Sequence, residues 1–446
     1  MRNNFFGNMD GIYFIGIGGV SMSALAKLMK NIGYKVGGSD SSESEYTEEL
    51  EHMGIPVQTG IQNQSVKDYG IVVFTDAVKE NNAQLKEARA LDKLVLSRGE
   101  LLREVSRLYK NVIAVAGCHG KTTCTAMLAH IFYCAQEKFT CHIGGRDSTF
   151  NNYYCNGDSY FITEACEYNK NFLKLKADTA VILNSDADHL ECYGNADELK
   201  KSYIRFAEKA ATAIHLYGDL PLNYGITFGF DDRADYYAKR IKNNGGKYSF
   251  VLYENSSESC KIELNVFGKH NVLNALAATA AARSCGIAFK DVAAGLNGFR
   301  GVERRFENIG KYQGANVIAD YAHHPNEIRA TLKTAATVTK GDIYVIFQPH
   351  TYSRTKNLFK QFRRALCYVN KLLIYKTFPA REYFDDAGSA LTLSQSLKKS
   401  RYADCVRDIE YFLNGAGEGD TVLVLGAGDI YYTVKNLLAE RNEINN

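Results

Sequence analysis

No apolar run in this 446-residue chain approaches the roughly 20 residues needed to cross a bilayer. The opening residues, MRNNFFGNMD, lack the apolar core of a signal peptide, so a cytoplasmic protein is expected. A surplus of one charge is missing too. The formal net charge of +3 is too near balance for a nucleic-acid footprint or an anionic-membrane anchor. The 11 cysteines form no C-x-x-C pair and no zinc spacing, and they read as reduced thiols. Internal repeats and low-complexity linkers are also absent. At about 150 residues per domain the length suggests three domains, with no linker to mark their limits.

What is present begins with Val112–Leu128, VIAVAGCHGKTTCTAML. An apolar strand, Val112–Ala116, runs into Gly117-Cys118-His119-Gly120-Lys121-Thr122-Thr123 and then into a helical pattern. Backbone N–H groups of such a loop, together with a helix N-terminus, cradle phosphates. In this pattern Lys121 reaches the β- and γ-phosphates and Thr122 ligates Mg²⁺. The usual first glycine is replaced by Val115. Cys118 reads as a small residue that fits a tight loop.

A second glycine turn, Gly16-Ile-Gly18-Gly19-Val-Ser21, follows the strand Ile12–Ile15 and precedes a helix carrying Met22, Leu25, Leu28, Met29 and Ile32. A further strand is expected at Tyr34–Val36, ending at Gly38-Ser39-Asp40. Asp40 falls where a ribose contact belongs, so the pattern reads as a nucleotide site. Any pyrophosphate can use such a turn, so the motif does not single out NAD.

The same alternation of strand and helix continues to the end, giving an α/β chain with parallel sheets. A third segment is expected to begin near Gly310. Polar residues repeatedly follow apolar strands: Gly16, Asp40, Gly117, Glu164, Asn184, Asp320 and Gln348. Ligands of open α/β sheets bind at the carboxyl ends of strands, so these residues would line one face.

Several constellations add chemistry. Glu164-Ala-Cys-Glu167 follows the strand Tyr160–Thr163, and Asn184-Ser-Asp186-Ala-Asp188-His189 follows Thr179–Leu183. Mg²⁺ takes oxygen ligands and keeps several waters, so few side chains suffice. Glu164 could bind metal or orient a γ-phosphate, and His189 could ligate a second cation or steady its surroundings. Asn271 could cap the alanine-rich helix of Asn271–Cys285, or His270, Asn271 and Asn274 could read an adenine edge. Gly301-Val-Glu303-Arg304-Arg305-Phe306, Asp320-Tyr321-Ala-His323-His324-Pro325 and Gln348-Pro-His350-Thr-Tyr-Ser-Arg354 supply cations and acid/base groups suited to phosphoryl transfer.

Taken together, GIGGVSMSALA, GCHGKTT, EACEY, NSDADH, GKHNVLNALAA, GVERRFE, DYAHHPNEI and FQPHTYSRT resemble the Mur ligase family, in the family's order and over nearly the whole chain. The resemblance implies three domains: a Rossmann-like UDP-sugar domain over residues 1–108, a P-loop-type central ATPase with a parallel sheet over 109–310, and a Rossmann-like C-terminal domain over 311–446 that closes over the site. It implies amide formation between UDP-N-acetylmuramate and L-alanine through an acyl phosphate, with ATP and Mg²⁺ as cofactors and ADP and phosphate released. Gly16, Gly18, Gly19, Ser21 and Asp40 would then hold the uridine diphosphate. The loop Gly117–Thr123 would hold the ATP phosphates. Thr122, Glu164 and His189 would serve the metals. His270, Asn271, Asn274, Arg304 and Asp320 would meet the adenine nucleotide. Tyr321, His323 and Arg354 would lie beside the amino acid, with His323 a candidate base. By this reading Lys121, Glu164, His189, His323 and Arg354 form the catalytic group.

Three rivals remain at this stage. A related ligase could attach a murein tripeptide instead of alanine. An NAD-dependent oxidoreductase would use the first glycine turn, but it leaves Lys121, Glu164 and DYAHHP without a task. A non-catalytic protein of the same fold is disfavoured by the intact Lys121, Thr122 and Glu164.

Overall fold

The computed structural model describes residues 6, 11–60, 66–186, 193–380 and 382–444. They form a three-domain α/β fold with three sheets. The first sheet has β1 (Ile12–Ile15), β2 (Val36–Asp40), β3 (Val57–Thr59), β4 (Ile71–Phe74) and β5 (Leu94–Ser97), in the order β3-β2-β1-β4-β5. All its pairings are parallel. β1 is central and wholly buried, as a continuous apolar run in a covered parallel sheet should be. The helix Val20–Asn31 lays Met22, Leu25, Leu28 and Met29 into the core, as its spacing predicts.

The second sheet comprises β6 (Asn111–Ala116), β7 (Phe139–Asp147), β8 (Asn151–Cys155), β9 (Tyr160–Glu164), β10 (Thr179–Ile182), β11 (Thr212–Leu216), β12 (Ile226–Gly229), β13 (Tyr236–Asn244), β14 (Lys247–Glu254) and β15 (Ser257–Phe267). Their order is β15-β14-β13-β12-β11-β10-β6-β9-β7-β8. β6 lies between β10 and β9, parallel to both. The helix after β6, Lys121–Cys134, is buried over most of its surface. Gly295, on the helix Phe289–Gly298, lies against its backbone at Ile131, where a Cβ would collide.

The third sheet comprises β16 (Glu307–Tyr312), β17 (Ala315–Asp320), β18 (Ile343–Phe347), β19 (Lys371–Tyr375), β20 (Ser400–Ala403) and β21 (Thr421–Leu425), ordered β16-β17-β21-β18-β19-β20.

The chain packs as two compact units, Met1–Ile241 with Phe250–Glu263 and Asn271–Arg300, and Lys242–Ser249 with Leu264–His270 and Gly301–Asn446. Within the first, one apolar cluster runs from Phe14 and Leu25 through Leu101, Val105 and Tyr109 to Val112, Phe161 and Phe172. Polar contacts reinforce this join. Lys27, 2% exposed, donates to Asn152 Oδ1 at 2.7 Å and pairs with Glu49 at 2.8 Å. Asn152 in turn donates to Val20 O and to Ser23 Oγ.

One local expectation is corrected. The second strand is Val36–Asp40, not Tyr34–Val36. Gly37 and Gly38 belong to it because Tyr69 and the backbone of Phe14 press where their Cβ atoms would stand, so packing overrides the weak strand propensity of glycine. The sheets are rich in parallel pairs, with β7/β8 and β16/β17 as antiparallel hairpins. Gly310, near which the third segment is expected to begin, is part of the third sheet. It lies inside β16 at a register shift, with φ 137°.

Candidate active site

The loop between β6 and the helix at Lys121 is set by two glycines with positive φ, Gly117 (138°) and Gly120 (84°). Gly120 caps the helix in the left-handed region, where a side chain is strained. A Cβ there would also strike Asn274 Oδ1. Asn274, on the helix His270–Ser284, therefore sits against the loop and donates to Asn271 Oδ1 at 2.9 Å. Asn271 lies inside the first turn of that helix and is not its N-cap.

From the other side Asn184 grips the loop twice, accepting from His119 N and donating to His119 O, both at 3.0 Å. Cys118 donates to Asp186 O. Thr122 and Thr123 are buried in the first helical turn.

Lys121 folds back onto its own loop. Its ammonium donates to Gly117 O at 2.5 Å and meets both oxygens of Glu167, at 3.0 and 2.9 Å. Glu167 is 1% exposed. Burial alone would depress the Lys121 pKa, but the Glu167 carboxylate, with Cys166 and Cys118 adding to it, makes the net shift upward. The ammonium thus stays charged at the mouth of a loop whose N–H groups favour anions.

Glu164 ends β9 beside β6. Its Oε1 accepts from Gly144 N at 2.6 Å, and the absence of a Cβ at Gly144 makes room for the carboxylate. Oε2 has no hydrogen-bond partner among the described residues. Carboxylate and hydroxyl oxygens on Glu164 and Thr122 are the hard donors that suit Mg²⁺. His189 lies outside the described residues.

In the first sheet, Gly16 takes φ 83° with Thr75 where its Cβ would be. Asp40 accepts from Gly18 N at 2.8 Å and from Ser41 N at 2.7 Å, so it shapes the turn directly. Gly19 caps the following helix. Ser21 Oγ lies 2.9 Å from His142 Nε2.

The second unit gathers its own group. Arg304 donates to the carbonyls of Gly426 (3.1 Å) and Gly428 (2.8 Å), with Tyr321 and Tyr431 rings 4.9 and 5.0 Å from its guanidinium. Asp320 ends β17 and accepts from Phe306 N and Ala322 N. Burial pushes its carboxyl up to about 6, against the opposing pull of Arg305. His323 Nδ1 lies 2.9 Å from Tyr321 O, and its ring faces His350 at 5.8 Å. Arg354 Nη1 is 3.3 Å from His350 Nδ1. Burial, then His323 and Arg354, push His350 down to about 3, so it is a neutral acceptor for Arg354. Tyr321, His323 and Arg354 thus converge through His350. His270 begins the helix that carries Asn271 and Asn274.

Some residues of this architecture carry no assigned role in the sequence reading. Glu167 stands within EACEY but is overshadowed there by Glu164. Gly426-Ala-Gly428-Asp429 repeats the strand, glycine turn and helix pattern at the end of β21. Gln348 fastens that turn, donating to Asp429 Oδ1 at 2.6 Å and accepting from Ile430 N at 3.1 Å. The spacing of VLGAGDI was a usable signal. His142 gave none.

Three family models match in sequence: "Mur ligase family, catalytic domain" over residues 11–110, "Mur ligase middle domain" over 115–282 and "Mur ligase, glutamate ligase domain" over 304–428. The chain belongs to the Mur ligase family. Among Mur ligases it is 39% identical to the UDP-N-acetylmuramate–L-alanine ligase of Lachnospira eligens, across 97% of this chain and 99% of that one. It is also 39% identical to that of Clostridium acetobutylicum, across 94% and 95%. The crystal structure of the Thermotoga maritima UDP-N-acetylmuramate-alanine ligase superposes with a TM-score of 0.84 at 30% identity, covering 98% of this chain and 100% of that one. A murein peptide ligase from Psychrobacter arcticus shares the Mur ligase fold at a TM-score of 0.75 and 23% identity, covering 96% and 98%.

Proposed function

We propose that this chain is an ATP-dependent ligase that joins L-alanine to the lactyl carboxylate of UDP-N-acetylmuramate in peptidoglycan precursor synthesis. One observation carries the reading. A phosphate-type loop and the Glu164 carboxylate, one oxygen of which has no hydrogen-bond partner among the described residues, sit at the ends of adjacent parallel strands, in a chain 39% identical over 97% of its length to a ligase of that name.

A carboxylate is a poor electrophile. Its oxygen therefore attacks the γ-phosphorus of ATP, the bond to ADP breaks, and an acyl phosphate results. Lys121 turns from Glu167 toward the β- and γ-phosphates, and the loop N–H groups hold them. Glu164 and Thr122, with His189, would hold Mg²⁺, which neutralises charge on the transferring group. The amine of alanine then attacks the acyl carbon, phosphate leaves, and the amine proton passes to a base. His323 is the proposed base, held by Tyr321 O, with Arg354 on the amino-acid carboxylate. The tetrahedral oxyanion needs positive donors nearby. Gly16, Gly18, Gly19 and Ser21 hold the uridine diphosphate, with Asp40 shaping their turn. His270, Asn271, Asn274, Arg304 and Asp320 serve the adenine nucleotide. The domain limits we propose are 1–108, 109–310 and 311–446, and the working site is cytoplasmic.

The test is phosphate release from ATP with and without UDP-N-acetylmuramate and L-alanine. Release should require both. Release that ignores them counts against the ligase reading. Running glycine, L-serine and murein tripeptide beside alanine distinguishes the related peptide ligase, for which tripeptide would be the better acceptor.

A further inference from the structure

His142 lies on β7, outside every motif of the sequence reading, and is 3% exposed. Its Nε2 is 2.9 Å from Ser21 Oγ and its Nδ1 is 2.9 Å from Thr163 Oγ1. These two partners lie on different elements of the first unit, the helix Val20–Asn31 and the strand β9. Ser21 stands in the first turn of that helix, directly after the glycine turn that follows β1. Thr163 is the residue before Glu164 in β9.

The direction of each bond is fixed by the next. The Thr163 hydroxyl donates to Glu164 O at 3.2 Å, so it must accept from His142. The imidazole therefore carries its proton on Nδ1 and accepts at Nε2. Burial, with Arg98 adding to it, keeps the ring neutral, as this arrangement requires. Ser21 then donates to Nε2 and receives Arg98 Nη1 at 3.4 Å. One oriented series results: Arg98, Ser21, His142, Thr163, Glu164 carbonyl.

Two consequences follow. The Ser21 proton points inward, so its hydroxyl offers lone pairs to a ligand, and donation to the diphosphate falls to the N–H groups of the turn. The backbone of Glu164 is also tied to the position of that turn. We propose that His142 is a positioning residue that couples the sugar-nucleotide turn to the strand carrying the metal-binding carboxylate. This rests on the ligase reading above.

The test is a double-mutant cycle on the full chain with H142F, S21A and the double variant. It reads the KM for UDP-N-acetylmuramate and the Mg²⁺ concentration for half-maximal phosphate release. H142F should raise both by about tenfold, the scale of one or two lost hydrogen bonds. S21A should do the same, and the double variant should be no worse than the poorer single one. H142Q, whose amide can both donate and accept, should return both values to within about threefold of wild type. If H142F does not fold, T163V breaks the next link at similar shape and must raise the Mg²⁺ requirement in its place. Multiplying effects in the double variant overturn the coupling. So does an H142F protein that only melts earlier, with KM and Mg²⁺ requirement unchanged. Wild-type protein that releases no phosphate when the sugar nucleotide and L-alanine are both supplied overturns the ligase reading itself, which separates the two failures.

Discussion

Replacing Glu167 by glutamine probes the centre of the proposed chemistry. The carboxylate is 1% exposed and stands 2.9 and 3.0 Å from the Lys121 ammonium, whose side chain is 15% exposed. Breaking a buried ion pair by removing one partner costs about 3–5 kcal/mol. Here the cost is smaller, because Lys121 keeps the carbonyls of Gly117 and Cys118 and glutamine keeps one acceptor oxygen. A loss of about 2 kcal/mol is expected. At about 2–4 °C for each kcal/mol in a unit of this size, the melting temperature falls by about 4–8 °C. The Lys121 pKa is raised above its ordinary 10.5. Its stabilisation is therefore fully present below pH 10.5 and lost only as pH rises through the higher folded value, so the gap should hold across neutral pH. Thermal unfolding with and without ADP is the assay. ADP at a hundredfold excess over its Kd stabilises wild type by about 2.7 kcal/mol. If phosphate takes over the ammonium, Glu167 matters less in the complex and the gap between E167Q and wild type narrows. Equal melting without nucleotide, or a gap that widens with ADP, would refute the reasoning.

Three further outcomes are expected. K121A should lower sugar- and alanine-dependent phosphate release by about 10²–10³-fold, while equilibrium binding of UDP-N-acetylmuramate is nearly unchanged; equal loss of both would contradict the assignment of the loop. G144A puts a methyl group against the Glu164 carboxylate, so a titration should show a raised Mg²⁺ requirement with an unchanged circular dichroism spectrum. Asp320 has a folded pKa of about 6 against an ordinary 3.8. Its favourable contribution is complete below pH 3.8 and is lost as pH rises through 6. The stability of D320N relative to wild type should therefore grow between pH 4 and 6 and then level off in denaturant titrations. A difference independent of pH would count against the burial of that carboxyl.

Much of the fold was legible because parallel strands buried on both faces read as unbroken apolar runs. β1, β6, β18 and β21 stand where IYFI, VIAVA, YVIF and VLVL announce them. The loop at Gly117–Thr123 was legible for a related reason, since positive φ and close approach leave glycine few substitutes. What escaped depends on tertiary contact. VGGSD reads as a turn until Tyr69 and Phe14 are seen to press on it. Glu167 differs from Glu164 only in what faces it, an ammonium rather than a backbone N–H. His142 sits in a strand with no motif around it, and its partners lie 121 and 21 residues away in sequence.

The Lys27 ammonium beneath Asn152 bears on how this protein can be dissected. Burial draws its pKa down and Glu49 resists, so the cation is held in place by one partner on the helix Glu45–His52 and another on β8. A fragment ending near residue 110 would strip away Asn152, leave that ammonium to Glu49 and water, and uncover the apolar cluster that continues through Val112, Phe161 and Phe172. The leading hundred residues are thus poor material for a free-standing fragment to test the proposed sugar-nucleotide binding. A useful truncation has to carry the β7–β8 hairpin along.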